Sequence, residues 1–416
     1  MSTPTTVKGV RPMKRVTPAD AGFDAARLER LTGWMERYVD AGKIPFGHVL
    51  LSRGGDVVFD SAVGLSNIAS GQPYSSDKLV RLYSMTKPVT AVALMQLVER
   101  GEVHLGDPVA QWIPAFADIK VCADEPGRVT ACQTPMTLHH LLTHTSGLSY
   151  GLFGGDAISE RYLRDRLDFD PQDGSNEEIC QRLAQLPVLF QPGSQWHYGV
   201  SIDVIGRVIE VVSGEPLDRY FEEHIFRPLG MRDTCFQVPE DHRHRLAALY
   251  SKTSEQGLEL VETGQDSIFA DEQRPVTCMS GGSGLVGTMS DYWAFAEMLR
   301  NGGRGPNGVQ ILGRKTIELM TRNHLDGDIA DHGVSSFAEV SFSGVGFGLG
   351  LYSIIDPART GMVCSAGEYG WGGLASTVFF VDPGEDLSVI FLTQQMPSSG
   401  YPLRRELRAL VYGALR

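Results

Sequence analysis

At 416 residues the chain is long enough for one large domain or two ordinary ones, and an apolar share of 42% supplies a sizeable core without covalent staples. The formal charge is −13 with acidic and basic residues interspersed, which argues against nucleic acid or an anionic membrane as the main partner. The N-terminal "MSTPTTVKGVRPMKRVTPADAGF" has no apolar leader core, and no later run reaches the length of about eighteen apolar residues that a membrane span needs, so a cytoplasmic location is expected. Six scattered cysteines (Cys122, Cys132, Cys180, Cys235, Cys278, Cys364) show no CxxC spacing and read as reduced structural thiols, neither a zinc site nor a disulfide framework.

In chain order, Ala25 to Asp40 carries Leu28, Leu31, Met35, Tyr38 and Val39 at helical spacing and stops at Gly42. "GHVLLSRGGDVVFDSAVG" reads as a hairpin turning at Arg53-Gly54-Gly55-Asp56. After Pro88 comes a segment apolar on nearly every side, a central buried helix. From Lys87 to Cys278 the chain is rich in helix and loop signals. "ASTVFFVDPGEDLSVIFLTQQM" is a second hairpin around Asp382-Pro383-Gly384, and a closing helix aligns Leu403, Leu407, Leu410, Val411 and Ala414. The expected fold class is therefore α/β (α+β): an antiparallel sheet flanked by helices and built from both chain ends, with an inserted mainly helical domain. The boundaries expected are residues 1–86 with 279–416 for the α/β domain and 87–278 for the insertion.

In "LVRLYSMTKPVTAVALMQLVERG" a serine stands three places ahead of a lysine at the mouth of the apolar helix. Pro88 belongs in a first helical turn, which puts Ser84 at or just before the N-terminus and Ser84 and Lys87 on one face. A partly buried lysine that loses its proton can take the serine proton during attack on a carbonyl, and helix N–H groups favour the resulting oxyanion. Equally, Ser84 can be an N-cap and Lys87 a solvated first-turn residue. A second SxxK match, Ser75 to Lys78, lies in polar sequence and opens no apolar helix.

The wider pattern changes that balance. "SMTK" is followed by "LVERGEVHLGDPVAQWIP", "MTLHHLLTHTSGL" and "FQPGSQWHYGVSIDVIGRVIEVVSG". Together these closely resemble the serine β-lactamase and penicillin-binding superfamily, and within it the class C-like (family VIII) carboxylesterases and the related acyltransferase of the monacolin scaffold. The resemblance implies Ser84 as nucleophile, Lys87 as its base and Tyr198 as the second-motif tyrosine that shuttles a proton to the leaving group. Where lactamases carry asparagine two places after the tyrosine, this chain has Val200, which the resemblance places with Trp371, Gly372 and Gly373 in the substrate pocket, so a donor to a substrate amide is missing. The Lys-Thr-Gly strand motif is absent too; Trp371-Gly372-Gly373 resembles the esterase form. Its glycines are expected to let a substrate carbonyl approach the strand, and the N–H groups of Ser84 and Leu374 to form the oxyanion hole. Trp371 in place of a cation favours neutral acyl substrates.

Other motifs carry less. No GxSxG elbow occurs, which argues against an α/β-hydrolase. His144 in "THTSGL" reads as a satisfied core or turn histidine, His139 with His140 and His242 with His244 as surface or packing residues, and "GGSGLVGTMSDY" as a strand leading into a helix rather than a phosphate loop. "SYGLFGGDAISERYLRDRLDFDPQDG" reads as a mobile flap. The function expected is a serine carboxylesterase acting on short-chain neutral esters through an acyl-enzyme, with no metal or organic cofactor and a small-molecule ester as partner. A β-lactamase or D-Ala peptidase-like amidase, an acyltransferase to an alcohol, and a catalytically silent binding relative are the rivals.

Overall fold

The computed structural model describes residues 13–123, 127–155, 157–254, 257–337 and 339–416; the N-terminal stretch read for a leader lies largely outside these. One helical turn at Ala25–Leu28, capped by the Asp24 carboxylate, leads into α1 (Arg30–Asp40), which buries Leu31, Trp34 and Met35. A hairpin follows, β1 (Phe46–Arg53) and β2 (Asp56–Asn67), turning where Gly54 and Gly55 take φ of +62° and +87°, and β3 (Gln72–Pro73) closes that edge. α2 (Thr86–Glu99) is buried from Thr86 to Leu97, with Pro88 in its first turn. Two further helices, α3 (Leu138–Leu142) and α4 (Ser201–Ser213), belong to the long middle of the chain, which also holds short antiparallel pairs such as Lys120–Cys122 with Val129–Ala131. α5 (Met289–Arg300) returns the chain to the sheet.

The remaining strands are β4 (Val345–Phe347), β5 (Tyr352–Ile354), β6 (Tyr369–Gly372), β7 (Val378–Asp382) and β8 (Leu387–Leu392), and α6 (Leu403–Tyr412) ends the fold. They complete an eight-stranded sheet in the order β4-β5-β6-β7-β8-β1-β2-β3, every neighbouring pair antiparallel. Both chain ends supply its strands, as the two sequence hairpins imply. The β7–β8 turn falls at the expected Asp382-Pro383-Gly384: the Asp382 carboxylate accepts the N–H groups of Gly384 and Glu385 at 2.9 and 3.2 Å, and Asp386 takes a left-handed φ, +54°.

Side-chain alternation gives the sheet two apolar faces. On one, Phe379 packs edge-on against Tyr292 of α5; on the other, Phe380 stacks on Tyr412 of α6 and Phe391 meets Trp34 of α1. No helix among the described residues is long and apolar enough to cross a membrane, and Cys132, Cys180, Cys235, Cys278 and Cys364 are free thiols.

His139 on α3 contacts His324, their ring nitrogens 3.1 Å apart, and tethers the middle of the chain to the segment ahead of β4. Burial, helped by the neighbouring His324 and His140, pushes the His139 pKa down to about 4 from 6.5. A histidine depressed on folding contributes stability that is complete above its unfolded pKa and is lost as pH falls. Denaturant titrations should therefore show stability declining between pH 6.5 and 4, and His139→Asn should flatten that decline.

Candidate active site

The nucleophile candidate sits where the chain changes direction. A two-residue strand, Val80–Arg81, ends, and a 3₁₀ turn, Tyr83–Met85, hands the chain to α2, with Met85 N–H bonded to Leu82 O at 3.1 Å and Tyr292 Oη donating to Met85 O at 2.9 Å. Tyr83 takes a φ of +46°, a left-handed conformation that costs a non-glycine residue about 1–2 kcal/mol. Ser84 is thus presented from a tight turn rather than from the helix itself, and it remains partly accessible.

Lys87, in the first turn of α2, has no exposed surface. Its amine reaches Ser84 Oγ at 3.2 Å, Tyr150 Oη at 3.1 Å and Gly282 O at 2.9 Å, and lies 4.5 Å from the centre of the Tyr198 ring. The solvated-lysine alternative therefore does not hold. Gly282 O can only accept a hydrogen bond, whereas hydroxyls donate or accept. Tyr150 donates to Asp203 Oδ2 at 3.4 Å, which orients its oxygen lone pairs towards Lys87. An unprotonated amine can thus donate to Gly282 and Tyr150 and keep its lone pair for Ser84. The second SxxK match makes no such pair: Ser75 donates to Asp77 and Lys78 to His244 O.

Tyr198 arrives on the loop before α4, its Oη 2.7 Å from Ser84 Oγ. Trp371 Nε1 donates to the same phenol oxygen at 3.3 Å, and the two rings lie 5.5 Å apart. The loop is held by His197 N–H to His144 O at 2.8 Å, and it passes so close to Leu148 that a Cβ on Gly199 would sit 2.3 Å from that carbonyl oxygen. Val200 is not a pocket residue. It is fully buried in the core at the start of α4, because its N–H is bound by Ser149 O at 3.1 Å and the helix start turns its side chain inward.

The cavity beside Ser84 has a volume of about 160 Å³, and Tyr198, Trp371, Gly372, Gly373 and Leu374 all line it. Among the described residues no carbonyl takes a bond from the Leu374 N–H, which leaves it for a ligand. The two glycines are demanded by the chain itself: a Cβ at 372 would lie 2.7 Å from Arg404 Nη2, and one at 373 would lie 2.4 Å from Leu82 O. Close approach of the strand to Arg404 and to the Ser84 turn, rather than to a substrate, is the reason visible here.

Two site residues were not singled out from the sequence. Tyr150 stands at the head of the segment read as a flap, and Asp203 five places after Tyr198 in an otherwise apolar stretch of helix; that lone carboxylate on a buried face was the available signal. Asp203 accepts the Gly282 N–H at 2.9 Å and the Ser280 hydroxyl. Burial raises its pKa, against the opposing pull of Lys87; burial also holds the Tyr150 phenol well above its usual range. His144 is fully buried with its ring 4.8 Å from Tyr198, and burial together with Lys87 keeps its imidazole pKa well below 6.5, so it is a neutral packing group near the site. It is not fully satisfied, since Nε2 has no partner among the described residues. His140 caps α3, and His242 and His244 lie in a surface turn. Among the described residues no group of His, Cys, Asp and Glu is placed to hold a metal ion.

A helix-flanked antiparallel sheet with a serine, a buried lysine and a tyrosine gathered at one strand end defines a class, the serine hydrolases. The chain belongs to the Beta-lactamase family, whose profile matches residues 31–413. It is 33% identical over 411 residues to Esterase EstB of Burkholderia gladioli, covering 95% of this chain and 98% of that one. Among solved structures it is similar to EstCE1, described as a hydrolase with promiscuous acyltransferase activity, at 30% identity and a TM-score of 0.78 over 93% of this chain and 99% of that one. Simvastatin synthase (LovD) from Aspergillus terreus shares the fold at 23% identity and a TM-score of 0.77, over 93% and 98% of the two chains.

Tyr150→Phe removes one of the three hydrogen-bond partners of the Lys87 amine and keeps the aromatic ring. Steady-state assays of ester hydrolysis should show kcat down about tenfold, the worth of one such bond, with KM within about twofold of the parent.

Proposed function

We propose that the protein is a serine carboxylesterase for short-chain, neutral carboxylic esters, working through a covalent acyl-enzyme. The observation that carries this is the position of Ser84 Oγ, 3.2 Å from Lys87 Nζ and 2.7 Å from Tyr198 Oη. Ser84 attacks the ester carbonyl as its proton passes to Lys87. The oxyanion is held by the N–H groups of Ser84 and Leu374. Collapse expels the alkoxide, which takes its proton from Tyr198, and Lys87 restores the phenol. Water then attacks the acyl-enzyme by the same route in reverse, releasing the acid and free Ser84. Trp371 Nε1, 3.3 Å from the phenol oxygen, stabilises negative charge on Tyr198 between these transfers.

Esters rather than β-lactams or peptides are supported by Trp371 standing where a lysine would hold a substrate carboxylate, and by the similarity to Esterase EstB. Transfer of the acyl group to an alcohol is a second reading, favoured by the similarity to EstCE1; it differs only in which acceptor reaches the acyl-enzyme.

Ser84→Ala should lower kcat/KM for p-nitrophenyl butyrate by about 10³-fold or more, and a phosphonate should add once, at Ser84, by intact mass. Retained turnover in that variant would sink the proposal. Nitrocefin should be a far poorer substrate than the butyrate ester, and added short alcohols should divert part of the acyl-enzyme to new ester.

A further inference from the structure

The cavity at Ser84 does not stop at the sheet face on which Ser84 lies. In the β6–β7 pair, Trp371 is opposite Phe379 and Gly372 is opposite Val378. Phe379 faces α5, so by alternation Val378 and Gly372 face α6. The cavity is nonetheless lined by Ser84, Tyr198 and Trp371 together with Val378 and Arg404; it reaches both faces. Two features open that passage. β5 pairs with β6 only at Tyr352–Gly370 and Ser353–Tyr369, which leaves Trp371 to Gly373 without a strand on that side among the described residues. Position 372 also carries no side chain.

The space behind the strand is walled by Val345, Ile354, Met362 and Val378. Arg404 and Arg408 of α6 border it with their guanidinium groups already engaged. Arg404 donates to Ser398 O at 3.2 Å and Gly373 O at 3.3 Å. Arg408 donates to Glu368 at 2.9 Å and Tyr352 Oη at 2.6 Å. Their charges are matched by Glu339 and Glu368, so the chamber suits an uncharged apolar tail. Its arm of the ester follows from the geometry of the reaction. Tyr198, which protonates the leaving oxygen, comes from the middle of the chain, and the oxyanion is held at Ser84 and Leu374. The substituent left to run along β6 is the acyl chain.

On the esterase reading above, we propose that this rear chamber is an acyl pocket and that the enzyme prefers unbranched acyl groups of about six carbons to acetyl. The whole cavity, the space beside Ser84 included, has a volume of about 160 Å³, close to that of an apolar cavity of about 150 Å³ that holds benzene, and this bounds the acyl chain at about six carbons. Each methylene moved from water onto such a wall is worth about fourfold in kcat/KM, from a transfer free energy of about 0.8 kcal/mol.

The test is a p-nitrophenyl series from acetate to decanoate, run beside alkyl butyrates of increasing alcohol length. kcat/KM should rise about fourfold per methylene from acetate to hexanoate and fall again by decanoate, with little response to the alcohol. Met362→Trp should lower the hexanoate-to-acetate ratio about tenfold; if that variant does not fold, the parent profile alone decides. A Ser84-dependent profile highest at acetate would overturn the chamber and leave the esterase reading intact. A profile governed by alcohol length would overturn the acyl assignment. No turnover of any ester, with Ser84 still labelled by phosphonate, would overturn the esterase reading and the pocket with it.

Discussion

The site depends on a lysine amine with no contact with solvent. A buried amine must place each of its N–H groups or lose several kcal/mol of hydration without return, and much of the surrounding structure serves that requirement. Gly282 brings a carbonyl to Lys87 at 2.9 Å. The same residue must be glycine, because a Cβ there would lie 2.3 Å from Asp203 Oδ2. Asp203 in turn accepts from Gly282 N–H and from Tyr150, so one buried carboxylate orients both non-serine partners of the amine. The result is directional: Gly282 and Tyr150 occupy two positions of the amine, and the third is aimed at Ser84.

The second constraint is the end of β6. Leu82 O, ahead of the Ser84 turn, and Arg404, from the far end of the chain, crowd the same two residues from opposite faces. Only a glycine pair lets the strand pass between them. Leu374 follows this pair and lines the same cavity as Ser84, and the missing side chains also leave room towards Arg404 of α6. The proposed oxyanion hole and the proposed acyl pocket therefore have a common origin in the packing around Gly372 and Gly373.

Periodicity made the elements legible. The hairpin at Gly54-Gly55, the all-round apolar helix after Pro88 and the amphipathic closing helix depend on local rules of burial and turn conformation, and each forms where its pattern stands. Ser84, Lys87, Tyr198 and Trp371 were legible as motifs, in part because the 3₁₀ turn that runs into α2 brings Ser84 and Lys87, three residues apart, within 3.2 Å of each other. Tyr150 and Asp203 were not, since neither belongs to a short pattern: their meaning lies in contacts with Lys87 and Gly282, 63 residues from Tyr150 at one end and 79 from Asp203 at the other. Val200 was misplaced for the opposite reason. It is adjacent in sequence to the tyrosine loop, but the helix that begins there turns its side chain into the core.

By itself, then, the sequence determined the secondary-structure elements, the contribution of both chain ends to one sheet, and the candidate nucleophile with its lysine, because these follow from side-chain period and local backbone geometry. Only the tertiary structure decided how Lys87 is satisfied, why positions 372 and 373 must be glycine, and where the cavity leads. Each of those rests on segments tens to hundreds of residues apart in the chain brought into contact, a separation across which no local pattern carries information.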